Sequence, residues 1–144
     1  MASTNSSTYA DLLARNIDST GKSNASVFFY DTLVTIPSGA TAGDTVNLFT
    51  VPAGVTINPA SISIYAEDPG TTLTVDIGFS DADSLVDGLD VAAGGFFLGS
   101  AAPGVDFLTG SALTATATCV MTFATLASVT TGKKLRVRMM GTGV

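Results

Sequence analysis

The 144-residue chain has no histidine, no tryptophan and a single cysteine, and it carries no lysine or arginine anywhere between Lys22 and Lys133. Each absence closes a class of function. Without histidine a Ser-His-Asp or Cys-His catalytic device cannot be assembled, and the usual zinc ligand sets lose a principal member. Cys119 by itself allows no intrachain disulfide, so the chain is expected to suit a reducing compartment. The missing tryptophan removes the strongest platform for stacking a sugar ring. Charge is also scarce: 12% of residues are charged and 46% are hydrophobic, whereas an ordinary soluble domain carries about 25% charged residues. Part of the apolar surface is therefore expected to lie under other subunits.

The charges that are present are segregated. Ten carboxylates run from Asp31 to Asp106, and the cations are Arg15 and Lys22 near the front and Lys133, Lys134, Arg136 and Arg138 at the back, for a net charge of -6. Nucleic-acid binding needs a broad basic surface, which four cations in six positions do not make. The asymmetry points instead to a subunit that meets partners through defined patches. The uncharged stretch Phe107 to Gly132 is long enough to cross a bilayer, but ten of its residues are Ser or Thr and its pattern alternates, so no membrane span is expected. The opening residues, Met1 to Ser7, offer neither a basic nor an apolar signal region. The sequons at Asn5 and Asn24 carry no weight without secretion.

Two regions are expected. Residues 1–26 read as an N-terminal arm in which Tyr9, Leu12, Leu13 and Ile17 mark one face of a short helix; so short a helix must dock on its own domain or on a neighbour. Residues 27–144 read as a β-domain. Leu73, Val75, Ile77 and Phe79 alternate with polar residues, and so do the odd positions from Leu113 to Phe123, roughly 35 Å of strand. Further strands are expected at 31–36, 45–51, 60–66, 96–98 and 134–140. Turn chemistry separates them, including Pro37-Ser38-Gly39 and its echo Pro52-Ala53-Gly54. The fold class is all-β, an antiparallel β-sandwich, with jelly-roll and immunoglobulin-like strand orders both open.

Little in the chain offers chemistry. Cys119 falls on the apolar side of its strand, where a thiol is inert. The segment Asp81 to Asp90 is acidic, but an EF-hand register fails because Leu85 takes the third ligand position; a solvated connection between strands is the plainer reading. No catalytic, cofactor-binding or metal-ligating residue is assigned. In the last strand, alternation places Lys134, Arg136 and Arg138 on one face. They either protect a sheet edge or form a docking strip for an acidic surface.

The polar start leading to Tyr9-Ala10-Asp11-Leu12-Leu13-Ala14-Arg15, and the course from Val51-Pro52-Ala53-Gly54 through Ser61-Ile62-Ser63-Ile64-Tyr65 to Thr72–Asp83, resemble small β-rich structural proteins of tailed-phage virions, in particular capsid decoration or cement proteins. The resemblance implies a jelly-roll-like sandwich made in the host cytoplasm. It also implies assembly as a trimer or dimer on the capsid surface, bracing joints between major capsid proteins. Such a protein is not an enzyme and needs no cofactor, small-molecule substrate, nucleic acid or membrane. Tyr9, Leu12, Leu13, Lys134, Arg136 and Arg138 are the expected capsid or intersubunit contacts. The alternative is a receptor- or carbohydrate-binding tail or fibre module using Tyr30, Tyr65 and the acidic segment.

Overall fold

The structure is a computed structural model that describes residues 26–106 and 112–143. The expected N-terminal helix or arm lies outside the described residues. Eight strands form: β1 (Ser26–Thr35), β2 (Thr45–Val51), β3 (Thr56–Ala66), β4 (Gly70–Gly78), β5 (Val86–Asp90), β6 (Gly95–Leu98), β7 (Ala117–Val129) and β8 (Lys134–Gly143). They build two antiparallel four-stranded sheets, ordered β1-β8-β3-β6 and β2-β7-β4-β5. First pairs with eighth, second with seventh, third with sixth and fourth with fifth. That is one long hairpin rolled so that successive pairs fall in opposite sheets, the plan of an eight-stranded jelly roll. The question of strand order is thereby answered in favour of the jelly roll over the immunoglobulin plan.

The core is the alternating inner face of both sheets. Val34, Ile57, Ile64, Leu135 and Val137 come from one, and Val51, Leu73, Val75, Ile77, Met121 and Phe123 from the other, all buried. Cys119 lies among them, its thiol pushed up to about 12 by burial, so it stays protonated and inert. The repeated Pro-Xaa-Gly unit is one turn used twice. The amides of Ala40 and Val55 donate to the carbonyls of Pro37 and Pro52, and Gly39 and Gly54 take the positive φ this turn requires.

The strands expected at 31–36, 60–66 and 134–140 run longer or start earlier, as Ser26–Thr35, Thr56–Ala66 and Lys134–Gly143, and two readings change in kind. The alternation from Leu113 to Phe123 becomes a strand only at Ala117, because β2 ends there: Val51 pairs with Ala117, and the residue after it is Pro52, which has no amide to donate. The strand then runs on to Val129 because β4 accompanies it as far as Gly70. A bulge at Ala124, where Thr74 faces Thr125 but Val75 faces Phe123, turns the later residues to the opposite face. The acidic segment is the second correction, since its latter half is strand β5, anchored by buried Val86 and Leu89.

Candidate interaction face

The two outer faces of the sandwich are chemically opposite. On the β2-β7-β4-β5 sheet, Thr72, Thr74, Thr118, Thr122 and Thr125 point outward, and the Thr74 and Thr125 hydroxyls hydrogen-bond at 2.6 Å. On the β1-β8-β3-β6 sheet the outward positions carry Phe29, Leu33, Tyr65, Phe96 and Leu98, each between 48% and 65% exposed. Of the large apolar side chains this exposed among the described residues, only Val105 lies elsewhere. Register assembles them. Leu33, Arg136, Tyr65 and Phe96 form one row across four strands, and Asp31, Arg138, Ser63 and Leu98 form the next. At the ~4.8 Å strand spacing each row is about 14 Å wide.

A charged ridge divides the apolar flanks. Arg136 grips Asp31 with two parallel bonds, Nε to Oδ1 at 2.8 Å and Nη2 to Oδ2 at 2.9 Å, the fork geometry that a guanidinium offers a carboxylate. Arg138 adds Nε to Oδ2 at 3.2 Å. These exposed pairs contribute little stability, but they hold both guanidinium groups in the plane of the face. The hydrogen bond from Arg136, reinforced by the charges of both arginines, holds the Asp31 carboxyl below its ordinary range.

Lys134, Arg136 and Arg138 thus share a face as the alternation indicates, and two of them already meet a carboxylate of their own chain. Edge protection does not apply, because β8 lies between β1 and β3 and is not an outer strand. Tyr9, Leu12 and Leu13 lie outside the described residues. The Tyr30 and Tyr65 platform does not form. Tyr30 turns inward, stacked on Phe28 and tilted on Phe49, with its hydroxyl buried and without a hydrogen-bond partner among the described residues, whereas Tyr65 stands on the outer face. The aromatic flanks themselves were legible in the doublets Phe28-Phe29 and Phe96-Phe97. Adjacent residues in a strand point to opposite faces, so one ring of each doublet has to look outward.

Negative charge gathers at the other end of the molecule. Asp83 acts on both Asp76 and Asp81. The Asp76 carboxyl is raised mainly by burial, and further by Asp87 and Asp83, against a bond from the Gly88 amide at 2.7 Å. Asp81 is raised by its hydrogen bond and charge contact with Asp83, and by Asp106. Among the described residues no group of three or more potential ligands converges as a metal site.

These opposed shifts give a pH prediction. Asp31 has a folded pKa below its unfolded value, so its stabilisation is present above about pH 4 and is lost as the pH falls through the folded pKa. Asp81 is shifted the other way, and its contribution is lost as the pH rises through its raised pKa. Melting temperatures should therefore show Asp31→Asn below wild type and Asp81→Asn above it at about pH 7, with both differences shrinking toward zero near pH 2.

Solved structures share this fold. The chain aligns with a chain in the capsid of Ralstonia phage GP4 at TM-score 0.65 and 17% identity, covering 84% of this chain and 85% of that one. It aligns with a chain of the cyanophage Pam1 capsid asymmetric unit at 0.59 and 15%, covering 84% and 86%. A third match is a chain in the acidic stable capsid of Helicobacter pylori bacteriophage KHP30, at 0.53 and 13%, covering 81% and 86%. No protein-family model and no curated protein matches the sequence. The molecule is a jelly-roll-like β-sandwich of the kind found in phage capsids, carrying one aromatic and cationic sheet face.

Proposed function

We propose that this chain is a non-enzymatic structural protein of a phage virion, a decoration or cement protein that binds the outside of the capsid as an oligomer and stabilises the shell. The observation that carries the reading is the likeness of its jelly roll, over 81–84% of the chain, to chains in three phage capsids. Fold alone does not assign function; the surface supplies the second support. Five large apolar side chains on one sheet face, in a chain so poor in charge, call for a cover. The mechanism is mass action: a protein that binds only the assembled shell shifts the equilibrium away from disassembly. The partners are major capsid protein and further copies of the chain, as a trimer or a dimer, on a virion assembled in the host cytoplasm. Tyr9, Leu12 and Leu13 reach the shell or a neighbouring subunit.

The test is reconstitution on particles that lack the protein. Purified chain should sediment with them and raise the temperature at which they lose their contents. A full-length variant with Tyr9→Ser, Leu12→Ser and Leu13→Ser should bind more weakly. Failure of the wild-type chain to sediment with particles, with no thermal shift, would refute the assignment.

A further inference from the structure

We propose that copies of this chain join head to tail, the aromatic and cationic face of the β1-β8-β3-β6 sheet in one copy seating on the acidic end of the next. The proposal rests on the oligomer in the functional reading above and specifies its surfaces. All four cations among the described residues lie on β8 or in the turn before it. On the outer face, Lys134, Arg136 and Arg138 stand against two carboxylates, Asp31 and Glu67, the latter accepting the Lys134 amide at 2.9 Å, so the face keeps an excess of positive charge on a chain of net charge -6. Two such faces pressed together about a two-fold axis would set like charge against like. Self-association through this face is therefore heterologous, and it closes into a ring or runs on according to the rotation between copies.

The complement is present on the same molecule. Asp81, Asp83, Asp87 and Asp106 crowd the connection before β5 and its surroundings; the hydrogen bond and charge of Asp83 raise the Asp81 carboxyl, and among the described residues no cation pairs with any of the four. The acidic end also has apolar character. Val105 is 73% exposed, and a cleft of about 130 Å³ there is lined by Phe79 and Leu85 together with Asp81 and Asp106. A site of that size is of the order that takes one aromatic ring, since a ~150 Å³ cavity admits benzene. An aromatic pair beside guanidinium groups, as Tyr65 and Phe96 share one depression with Arg136 and Arg138, matches that combination of apolar cleft and carboxylate rim.

The experiment uses two full-length variants altered only at exposed positions. One carries Lys134→Glu and Phe96→Ser, which leave the Asp31 pair intact; the other carries Asp81→Lys and Asp87→Lys. Sedimentation velocity of wild type should show an assembly larger than a monomer. Each variant alone, with an unchanged circular dichroism spectrum, should associate more weakly by roughly tenfold or more. Mixed in equal amounts the two should form a dimer and nothing larger, because one intact interface remains between them. Self-association of the acidic-end variant at wild-type strength would overturn the proposal in favour of face-to-face pairing. A monomeric wild type would overturn it outright, and particle sedimentation of that same protein would show separately whether the capsid assignment stands.

Discussion

Replacing Phe123 with alanine is expected to remove about 3–5 kcal/mol of folding stability, more than any other single truncation in the sandwich. Phe123 is the largest fully buried side chain among the described residues. It sits on β7, which is hydrogen-bonded on both sides, to β2 and to β4. Its own amide and carbonyl are also committed, the amide donating to Asp44 and the carbonyl accepting from Gly43, at 2.9 and 2.8 Å. The backbone there cannot slide to close the hole, so little of the cavity term is recovered by relaxation. A domain of this size has about 5–15 kcal/mol in total, and the variant should lose a fifth or more of its stability. Urea unfolding measures the outcome. A midpoint shift with unchanged slope is expected, and a loss below about 1 kcal/mol would mean that the inner layer is not packed as described.

The same strand shows how much of the fold was legible. Cys119, Met121 and Phe123 point inward as period-two alternation requires, but alternation says nothing of where a partner begins. The N-terminal limit of β7 is set by Pro52, just after β2, and its C-terminal limit by Gly70 on β4, residues more than fifty positions away in the chain. Thr45–Val51 was bounded correctly in the sequence because its stops are local: Asp44 and Gly43 before it, Pro52 after it. β5 was hidden for the opposite reason. Its two buried residues, Val86 and Leu89, are three apart, because the ladder to β4 slips between Val75 and Ile77 and Gly88 adopts a positive φ. With Asp87 and Asp90 outward, the segment presents the composition of a loop.

For the candidate face, alternation in the last strand was enough to place Lys134, Arg136 and Arg138 together. What they face was not legible, since Asp31 lies more than a hundred residues earlier and comes opposite Arg138 only through the β1-β8 register. Threonine dominates the outer face of the β2-β7-β4-β5 sheet only. Phe29, Leu33, Tyr65, Phe96 and Leu98 come from three strands whose adjacency is a property of the rolled topology. A face assembled across a sheet has no signature in any single stretch, apart from the two phenylalanine doublets.

Gly78→Ala is expected to cost roughly 1–3 kcal/mol, toward the upper end because the obstacles are main-chain atoms. A methyl group at Gly78 would run into the Asp81 carbonyl oxygen and would lie 2.7 Å from the Ala82 carbonyl carbon. Gly104 stands on the other side of the same turn, where a methyl would strike the Asp83 oxygen and the Ser84 carbonyl. Asp81 to Ser84 therefore passes between two glycines. The Asp81 carbonyl accepts the Phe79 amide at 3.0 Å, and the Ser84 carbonyl accepts the Asp106 amide at 2.8 Å. Gly88→Ala is the control, since its Cβ would meet open space and its φ of +70° imposes only the left-handed cost, about 1–2 kcal/mol. Thermal unfolding should rank Gly78→Ala as the worse of the two; the reverse order would show that the turn can move aside. Gly104→Ala carries the same reasoning to assembly. It displaces Asp83 and its neighbours without touching β1, β3, β6 or β8, so it should weaken head-to-tail association while leaving the cationic face able to bind an unaltered acidic end.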